Sequence, residues 1–248
     1  MKISIITATY NSAATVKDTL VSVREQDHPD IEHIIVDGAS RDDTIGIVAG
    51  FPHVAKCVSE KDKGIYDAMN KGILLATGDV IGILNSDDIY TGPSVLSAVA
   101  RAFEDPAVMT AYADLQYVHS EDLDKVIRTW KTGVFRKKNF YYGWMPPHPT
   151  FFVRKQVYDQ AGLFDLRLRS AADYEIMLRI LLKYNMPACY IPGVIVKMRA
   201  GGMSNASLWN RLRANKEDRL AWKLNGLRPY FFTLYMKPLR KIPQFIIK

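Results

Sequence analysis

The first hundred residues alternate short apolar runs with helix-period segments, and no other feature constrains the fold as much. "KISIITA" reads as a strand, after which Ser12 can cap a helix from about Ala13 to Gln26 with Val16, Leu20 and Val23 on one face. "IEHIIVD" is a second strand, followed by Gly38-Ala39-Ser40 and a helix begun by "RDDT". "HVAKCV" is a third strand, "IYDAMNKGILLA" a helix, "DVIGIL" a fourth strand, and "PSVLSAVARAF" a helix with Pro93 at its first turn. Strands separated by helices of this length predict an α/β fold, a mostly parallel sheet with helices on both faces. Ligands of such sheets bind beyond the carboxyl ends of the strands. Three polar clusters fall at those ends: Thr9-Tyr10-Asn11, Asp37, and Asn85-Ser86-Asp87-Asp88.

The second half is less regular. "VMTAYADLQYV" and "KVIRTWK" read as strands, and "TFFVRKQVYDQAGLF" as a strand leading into a short helix. "DYEIMLRILLKY" predicts a helix with Ile176, Met177, Ile180, Leu181 and Tyr184 on the core face and Glu175, Arg179 and Lys183 on the other. A long helix follows from Ser207 to Asn225. No internal repeat or low-complexity linker interrupts the chain. We therefore expect a single domain over residues 1–206 and a C-terminal extension over residues 207–248.

Charge separates these two parts. The 248 residues carry a net +7, but residues 211–248 hold 10 Lys and Arg against 2 acidic residues, an excess of +8 that leaves the rest at −1. A near-neutral body argues against a nucleic-acid partner. The stretch "LRPYFFTLYMKPLRKIPQFIIK" mixes aromatic and aliphatic residues with Arg228, Lys237, Arg240, Lys241 and Lys248, and Pro229, Pro238 and Pro243 prevent one long helix. Short amphipathic pieces with basic flanks lie on anionic membrane surfaces; docking on the body or on a second subunit is the alternative, which leaves a homo-oligomer open. Cys57 and Cys189 lie in short apolar stretches without metal-ligand spacing, and read as buried free thiols. The start "MKISIITATYN" is too short in apolar residues for a secretory signal, and no run approaches the ~20 needed to span a membrane. The expected location is cytoplasmic.

Neither G-x-G-x-x-G nor G-x-x-x-x-G-K-[ST] occurs, which argues against dinucleotide oxidoreductases and P-loop NTPases. A diphosphate can instead be neutralised by a divalent cation held on carboxylates at a strand end, and "NSDD" suits that task. Asp87 and Asp88 could equally cap the turn that follows.

Taken together, "ISIITATYN", "IIVDGASRDDT" and "SEKDKGIYDAMNKGILLATGDVIGILNSDD" closely resemble the family 2 glycosyltransferases, inverting nucleotide-sugar enzymes with the fold called GT-A. The resemblance extends from Lys2 to about Ser204 and is strongest to bacterial members that build exopolysaccharide and surface-antigen repeat units, similar to the colanic acid type. It implies a Rossmann-like nucleotide-binding part over about residues 1–105 and an acceptor part over about 106–206. Thr9 and Tyr10 would contact the nucleoside, Asp37 would be the uracil-binding carboxylate, and Lys63 would lie near the diphosphate and base. "NSDD" occupies the D-x-D metal position: Asp87 is the implied carboxylate for Mn²⁺ or Mg²⁺, Asp88 a further one, with Asn85 and Ser86 on the nucleotide-sugar. Asn85 stands where the commonest pattern has aspartate, which removes one anionic ligand. Asp173, in "SAADYEIMLRI", falls on the position of the catalytic base, although a helix N-cap accounts for an aspartate there as well.

Trp144 and His148, in "GWMPPHPTFFVRK", fall where the family has acceptor-side contacts, and either can also be structural. Gly201 and Gly202, in "RAGGMSN", would let the backbone approach a diphosphate, or would serve as a plain lid hinge. The implied activity is transfer from a nucleotide-sugar, UDP-linked by expectation, to a saccharide on a polyprenyl diphosphate at the inner face of the cell membrane. A non-catalytic nucleotide- or saccharide-binding subunit of a polysaccharide assembly complex is the rival reading. A nucleotidyltransferase is a weaker one, because "TATYNSAAT" lacks a Gly-rich phosphate loop.

Overall fold

A computed structural model describes residues 1–201 and 208–245, with side chains over 1–201 and 215–245. In chain order the elements are β1 (Ile3–Thr9), α1 (Val16–Arg24), β2 (Ile31–Asp37), α2 (Thr44–Ala49), β3 (Val54–Ser59), α3 (Ile65–Leu75), β4 (Val80–Ile83), β5 (Asp88–Tyr90) and α4 (Val95–Ala102). The second half continues with β6 (Thr110–Val118), β7 (Val126–Trp130), α5 (Lys137–Tyr141), β8 (Phe152–Arg154), α6 (Lys155–Ala161), α7 (Ala172–Leu178), β9 (Ala188–Arg199), α8 (Leu208–Leu224) and α9 (Thr233–Leu239).

One sheet runs in the order β3-β2-β1-β4-β8-β6-β9-β5, with β7 paired to β6. The first four strands are parallel, as the strand–helix alternation requires. β8 then pairs antiparallel with both β4 and β6, and β5 antiparallel with β9, while β6 and β9 are parallel. The parallel half is thus extended by a mixed half. β9 carries Pro192 and Gly193, where its register against β6 slips, and that interruption hides its alternation in the sequence.

Burial explains the layers. β1 is buried at every position, so its side chains alternate between two covered faces rather than between core and water. Ile6 and Ala8 pack with Ala68, Met69 and Ile73 of α3. Ile3 and Ile5 pack on the other face with Val95, Leu96 and Val99 of α4. Each such aliphatic side chain contributes about 1.5–3 kcal/mol by leaving water. At the sheet edge β3 has no such cover on one side. Cys57 is therefore exposed and Cys189 half-buried, which corrects the expectation that both thiols are buried.

The helix at 172–184 departs from its predicted faces. α7 passes into a π-helical turn over Arg179–Lys183, and Tyr184 is exposed. Glu175 is buried in an ion pair with Arg179, whose guanidinium also donates to the Ala161 and Leu163 carbonyls at 2.6 and 2.9 Å. A local i,i+4 pair that satisfies three acceptors can lie inside the fold, and charge alone had placed it outside.

The C-terminal helices join this core. Trp222 of α8 is fully buried and donates to the Tyr174 hydroxyl at 2.9 Å. α9 lies against Gly143, whose φ is +77° and where a Cβ would meet the Lys237 nitrogen at 2.4 Å. Yet the outer face of the same segment exposes Tyr230, Phe231, Tyr235, Leu239, Ile242 and Phe245, with Phe231 at 89%. No helix among the described residues is long and apolar enough to cross a membrane.

Candidate active site

β1, β2 and β4 end at one edge, and their loops form one wall of a cleft of about 2570 Å³. Hydrogen bonds tie the loops together. The Ser12 and Ser86 hydroxyls are 2.8 Å apart, so the loop after β1 is fixed to the loop after β4. Ser12 does not cap α1 with its side chain; its carbonyl takes the Val16 amide at 2.9 Å instead. Asn11 Oδ1 accepts the Arg41 amide at 2.8 Å, and Ser40 Oγ the Asn11 amide at 2.8 Å. Asn11 and Ala39 hold φ of +50° and +60°, and both border the cleft. Backbone strain in side-chain-bearing residues is characteristic of functional loops.

Asp37 does not face the cleft. It is fully buried, and its carboxylate accepts hydrogen bonds from Thr9 Oγ1 at 2.9 Å, Ser59 Oγ at 2.6 Å, the Ser40 amide at 2.9 Å and the Ser40 hydroxyl. Burial pushes this carboxyl up, but the hydrogen bonds from Ser40, Ser59 and Thr9 outweigh it and hold it below the usual range. Asp37 thus sits as a buried anchor of the turn, behind the cleft wall. Thr9 borders the cleft but spends its hydroxyl on Asp37, whereas Tyr10 is 60% exposed on the cleft wall.

The carboxylate that does reach this corner is Asp62, whose Oδ2 lies 2.5 Å from where a Cβ on Gly38 would be. From the same loop Lys61 borders the cleft; Lys63 does not, and its amide donates to Asp67 Oδ2 at 3.0 Å. Lys63 thus stands off the cleft while its neighbours Lys61 and Asp62 line it, a difference that no periodicity marks in a loop.

Asn85, Ser86 and Asp87 line the cleft, while Asp88 lies behind them with 0% exposure. That corrects Asp88 as a direct ligand. Asn85 Nδ2 donates to Asp88 Oδ2 at 2.8 Å, which accounts for the amide: an aspartate at 85 would set carboxylate against carboxylate. Asn85 Oδ1 and Asp88 Oδ1 are left buried without a hydrogen-bond partner. Burial pushes Asp87 up, against its own backbone amide and the Arg199 charge. Burial and then the Asp87 charge push Asp88 well above the carboxylate range.

Arg199 is close, but its guanidinium donates to the Asp87 carbonyl at 3.0 Å, the Ser120 carbonyl at 3.0 Å and Asp18. Among the described residues no lysine or arginine side chain pairs with either carboxylate. Unpartnered oxygens beside an accessible carboxylate fit a hard divalent cation. No group of three or more His, Cys, Asp or Glu residues gathers among the described residues, so the remaining ligands would come from substrate and water.

Asp173 faces these groups from the other half. It sits in the first turn of α7 but makes no side-chain cap; Oδ1 accepts the Tyr66 hydroxyl at 3.2 Å. Asp173 lines the cleft, and its carboxylate accepts from Tyr66 rather than from a helix amide. Tyr66 stacks on Phe164 with ring centroids 5.5 Å apart, and His148 meets the same Phe164 edge-on at 5.5 Å. Burial lowers the His148 imidazole, against the Asp173 charge, so it favours the neutral form in the cleft wall. Trp144 borders the cleft at only 4% exposure; Phe135, Phe140 and Tyr112 surround its ring, and Nε1 donates to the Thr132 carbonyl at 2.9 Å. The ring thus has no free face open to the cleft, in line with the structural alternative for Trp144. Gly201 has φ +110°, and Gly202 lies outside the described residues.

Residues 4–162 match the family model described as Glycosyl transferase family 2. The chain belongs to glycosyl transferase family 2. Among family 2 relatives, an uncharacterized glycosyltransferase of Mycobacterium tuberculosis is 35% identical over 183 residues, covering 73% of this chain and 69% of that one. A PGL/p-HBAD biosynthesis glycosyltransferase of Mycobacterium bovis is 29% identical over 215 residues, covering 82% and 78%. Among solved structures, S. aureus TarS 1–349 in complex with UDP-GlcNAc superposes with a TM-score of 0.70 at 20% identity over 91% of this chain; the chain spans 65% of that one. Mannosyltransferase PcManGT from Pyrobaculum calidifontis, in complex with GDP-Man and Mn²⁺, gives 0.68 at 19% identity over 99% of this chain and 73% of that one. At such identities the likeness is one of fold, and it is the GT-A fold that the family 2 motifs imply.

The opposite wall had no signal in the sequence. It is formed by β7 and the C-terminal segment, with Arg128, Asp218, Tyr235, Lys237, Lys241 and Phe245 among its residues. Basic charge in the tail was legible; its location on the cleft was not, since nothing local links residues more than a hundred positions apart.

Proposed function

We propose that the protein is an inverting, cation-dependent glycosyltransferase that moves a sugar from a nucleotide-sugar, UDP-linked, to a saccharide hydroxyl. The base of the nucleotide lies at Tyr10, with Asp62 as acceptor for its ring N–H. Asp87, with Asn85 Oδ1 and Ser86 beside it, would hold a Mn²⁺ or Mg²⁺ ion. When bound, that cation supplies charge stabilisation to the departing nucleoside diphosphate. Asp173 takes the proton of the acceptor hydroxyl as its oxygen forms a bond to the anomeric carbon. The bond from that carbon to the diphosphate oxygen breaks on the opposite face, and configuration inverts.

The observation that carries the reading is that Asp87 and Asp173, from different halves of the chain, line one cleft. Support for a uridine nucleotide and for a cation comes from what the structures of TarS and PcManGT contain. Replacing Asp173 with Asn should abolish transfer and leave UDP binding intact; transfer that persists overturns the assignment. A thermal-shift panel of UDP-, GDP- and dTDP-sugars identifies the donor.

The acceptor is a lipid-linked saccharide of surface polysaccharide synthesis, met at the inner face of the membrane by the 207–248 extension. What supports this is the concentration of exposed large apolar side chains beside Arg240 and Lys241, with Tyr235, Ile242 and Phe245 at the cleft rim. Vesicles of anionic lipid should sediment the protein and neutral vesicles should not; equal binding to both, or to neither, overturns it.

A further inference from the structure

Two cations on the tail-side wall lack counter-ions. Arg128 of β7 is 7% exposed, with its guanidinium carbon 3.6 Å from the Tyr117 ring centroid and 5.5 Å from that of Phe245. Its side-chain hydrogen bond goes to the neutral Gln244 Oε1. Lys241 borders the same cleft. Among the described residues neither has a carboxylate within ion-pair distance. Their neighbour Lys237 is different: Asp218 neutralises it at 2.7 Å, and its ammonium sits 3.6 Å from the Tyr174 ring centroid.

A buried guanidinium without a counter-ion is costly, and a second cation beside it more so. Burial first, then the Lys237 and Arg128 charges, push the Lys241 ammonium below its usual range, with Asp218 and Asp173 opposing. Arg128 is left without an anion, and the exposed Lys241 at the same cleft can share one. A guanidinium fork and an ammonium from a separate element suit phosphate oxygens, and the faces of Tyr117 and Phe245 keep the fork oriented.

We propose that Arg128 and Lys241 form a phosphate subsite for the acceptor, so that the substrate receiving the sugar carries a phosphate or diphosphate group next to its reacting hydroxyl. This rests on the glycosyltransferase reading above. Placement on the acceptor side follows from position: both cations lie on the wall opposite the loops after β1, β2 and β4, and the charge of Asp173, the proposed base, reaches Lys241.

The test is calorimetric titration of inorganic pyrophosphate into the full chain, with and without saturating UDP and Mn²⁺. Pyrophosphate should bind in the presence of UDP and more weakly at higher salt. K241Q and R128Q should each weaken it about tenfold while changing UDP affinity less than about twofold. K223Q, at an exposed lysine of α8, should leave both unchanged. Arg128 is buried, so melting curves accompany each variant, and the surface variant K241Q decides the matter if R128Q unfolds. Pyrophosphate binding that survives K241Q overturns the proposal. So does loss of UDP affinity in the same variants, which would assign both cations to the donor diphosphate. If the wild type fails to bind UDP at all, the donor reading falls, while the titration without UDP still decides the subsite.

Discussion

The Tyr66 hydroxyl lies 3.2 Å from Asp173 Oδ1, so α3, packed on the parallel half of the sheet, holds the carboxylate proposed as the base. Tyr66 is half-buried in the cleft wall, and burial and the Asp173 charge push its phenol well above the usual value, so it stays a donor. Y66F removes the bond without opening a large cavity. Hydrogen bonds to charged groups contribute about 1.5–3 kcal/mol. The expected result is a kcat lower by about tenfold with donor KM unchanged; steady-state kinetics that show a KM effect alone would place Tyr66 in binding.

Cation affinity should fall with acidity. The Asp87 carboxyl is raised by burial, so it takes up a proton at a higher pH than an ordinary carboxylate, and the protonated form cannot hold Mn²⁺. UDP titrations with Mn²⁺ at stepped pH should lose the metal-dependent gain in affinity on the acid side first. D87N should abolish that gain at every pH while leaving metal-free UDP binding unchanged.

Acid should also loosen the fold, in two stages. His33 is fully buried between Thr7 and His53, and burial followed by the His53 charge depresses its imidazole to about 3 from 6.5. A depressed imidazole makes the unfolded chain bind the extra proton, so this stability is complete above pH 6.5 and declines as pH falls toward 3. Glu32 is depressed to about 2 from 4.5: burial raises it, but Ser4, Thr77 and Lys56 together outweigh that. Its contribution is complete above pH 4.5 and declines as pH falls toward 2. Urea midpoints measured against pH should show both declines. E32Q should cost about 2 kcal/mol at neutral pH and remove the lower one.

Gly143 should accept no side chain. Its φ is +77°, and a Cβ there would meet backbone atoms of Met236 and Lys237 at 2.7 and 2.4 Å. G143A is expected to displace α9 at a cost of about 2 kcal/mol or more. Limited proteolysis should then cut within residues 226–245 faster than in the wild type, and a rate that does not change would contradict the docking.

The strand–helix alternation made the parallel half legible, since its side-chain periods are local. It also brought Tyr10, Ser86 and Asp87 to one edge, whereas Asp173, which lines the same cleft, was reached only through the resemblance to family 2. Asp37 misled because a carboxylate at a strand end looks the same whether it faces a ligand or is encircled by Thr9, Ser40 and Ser59. Trp144 misled for the converse reason: an aromatic among prolines looks like a platform, and only the packing of Phe135 and Phe140 shows that its faces are taken. The antiparallel pairings through β8, and the tail's return to the cleft, depend on contacts far apart in sequence and leave no local pattern.

Because α9 and the residues after it form one side of the cleft, the last two dozen residues are not trimmings. A truncation after Asn225 would keep every strand, Asp87 and Asp173, yet strip Asp218 of its lysine and leave the Tyr174 ring bare. Such a shortened protein would keep the strand-end wall of the cleft and lose the wall that faces it.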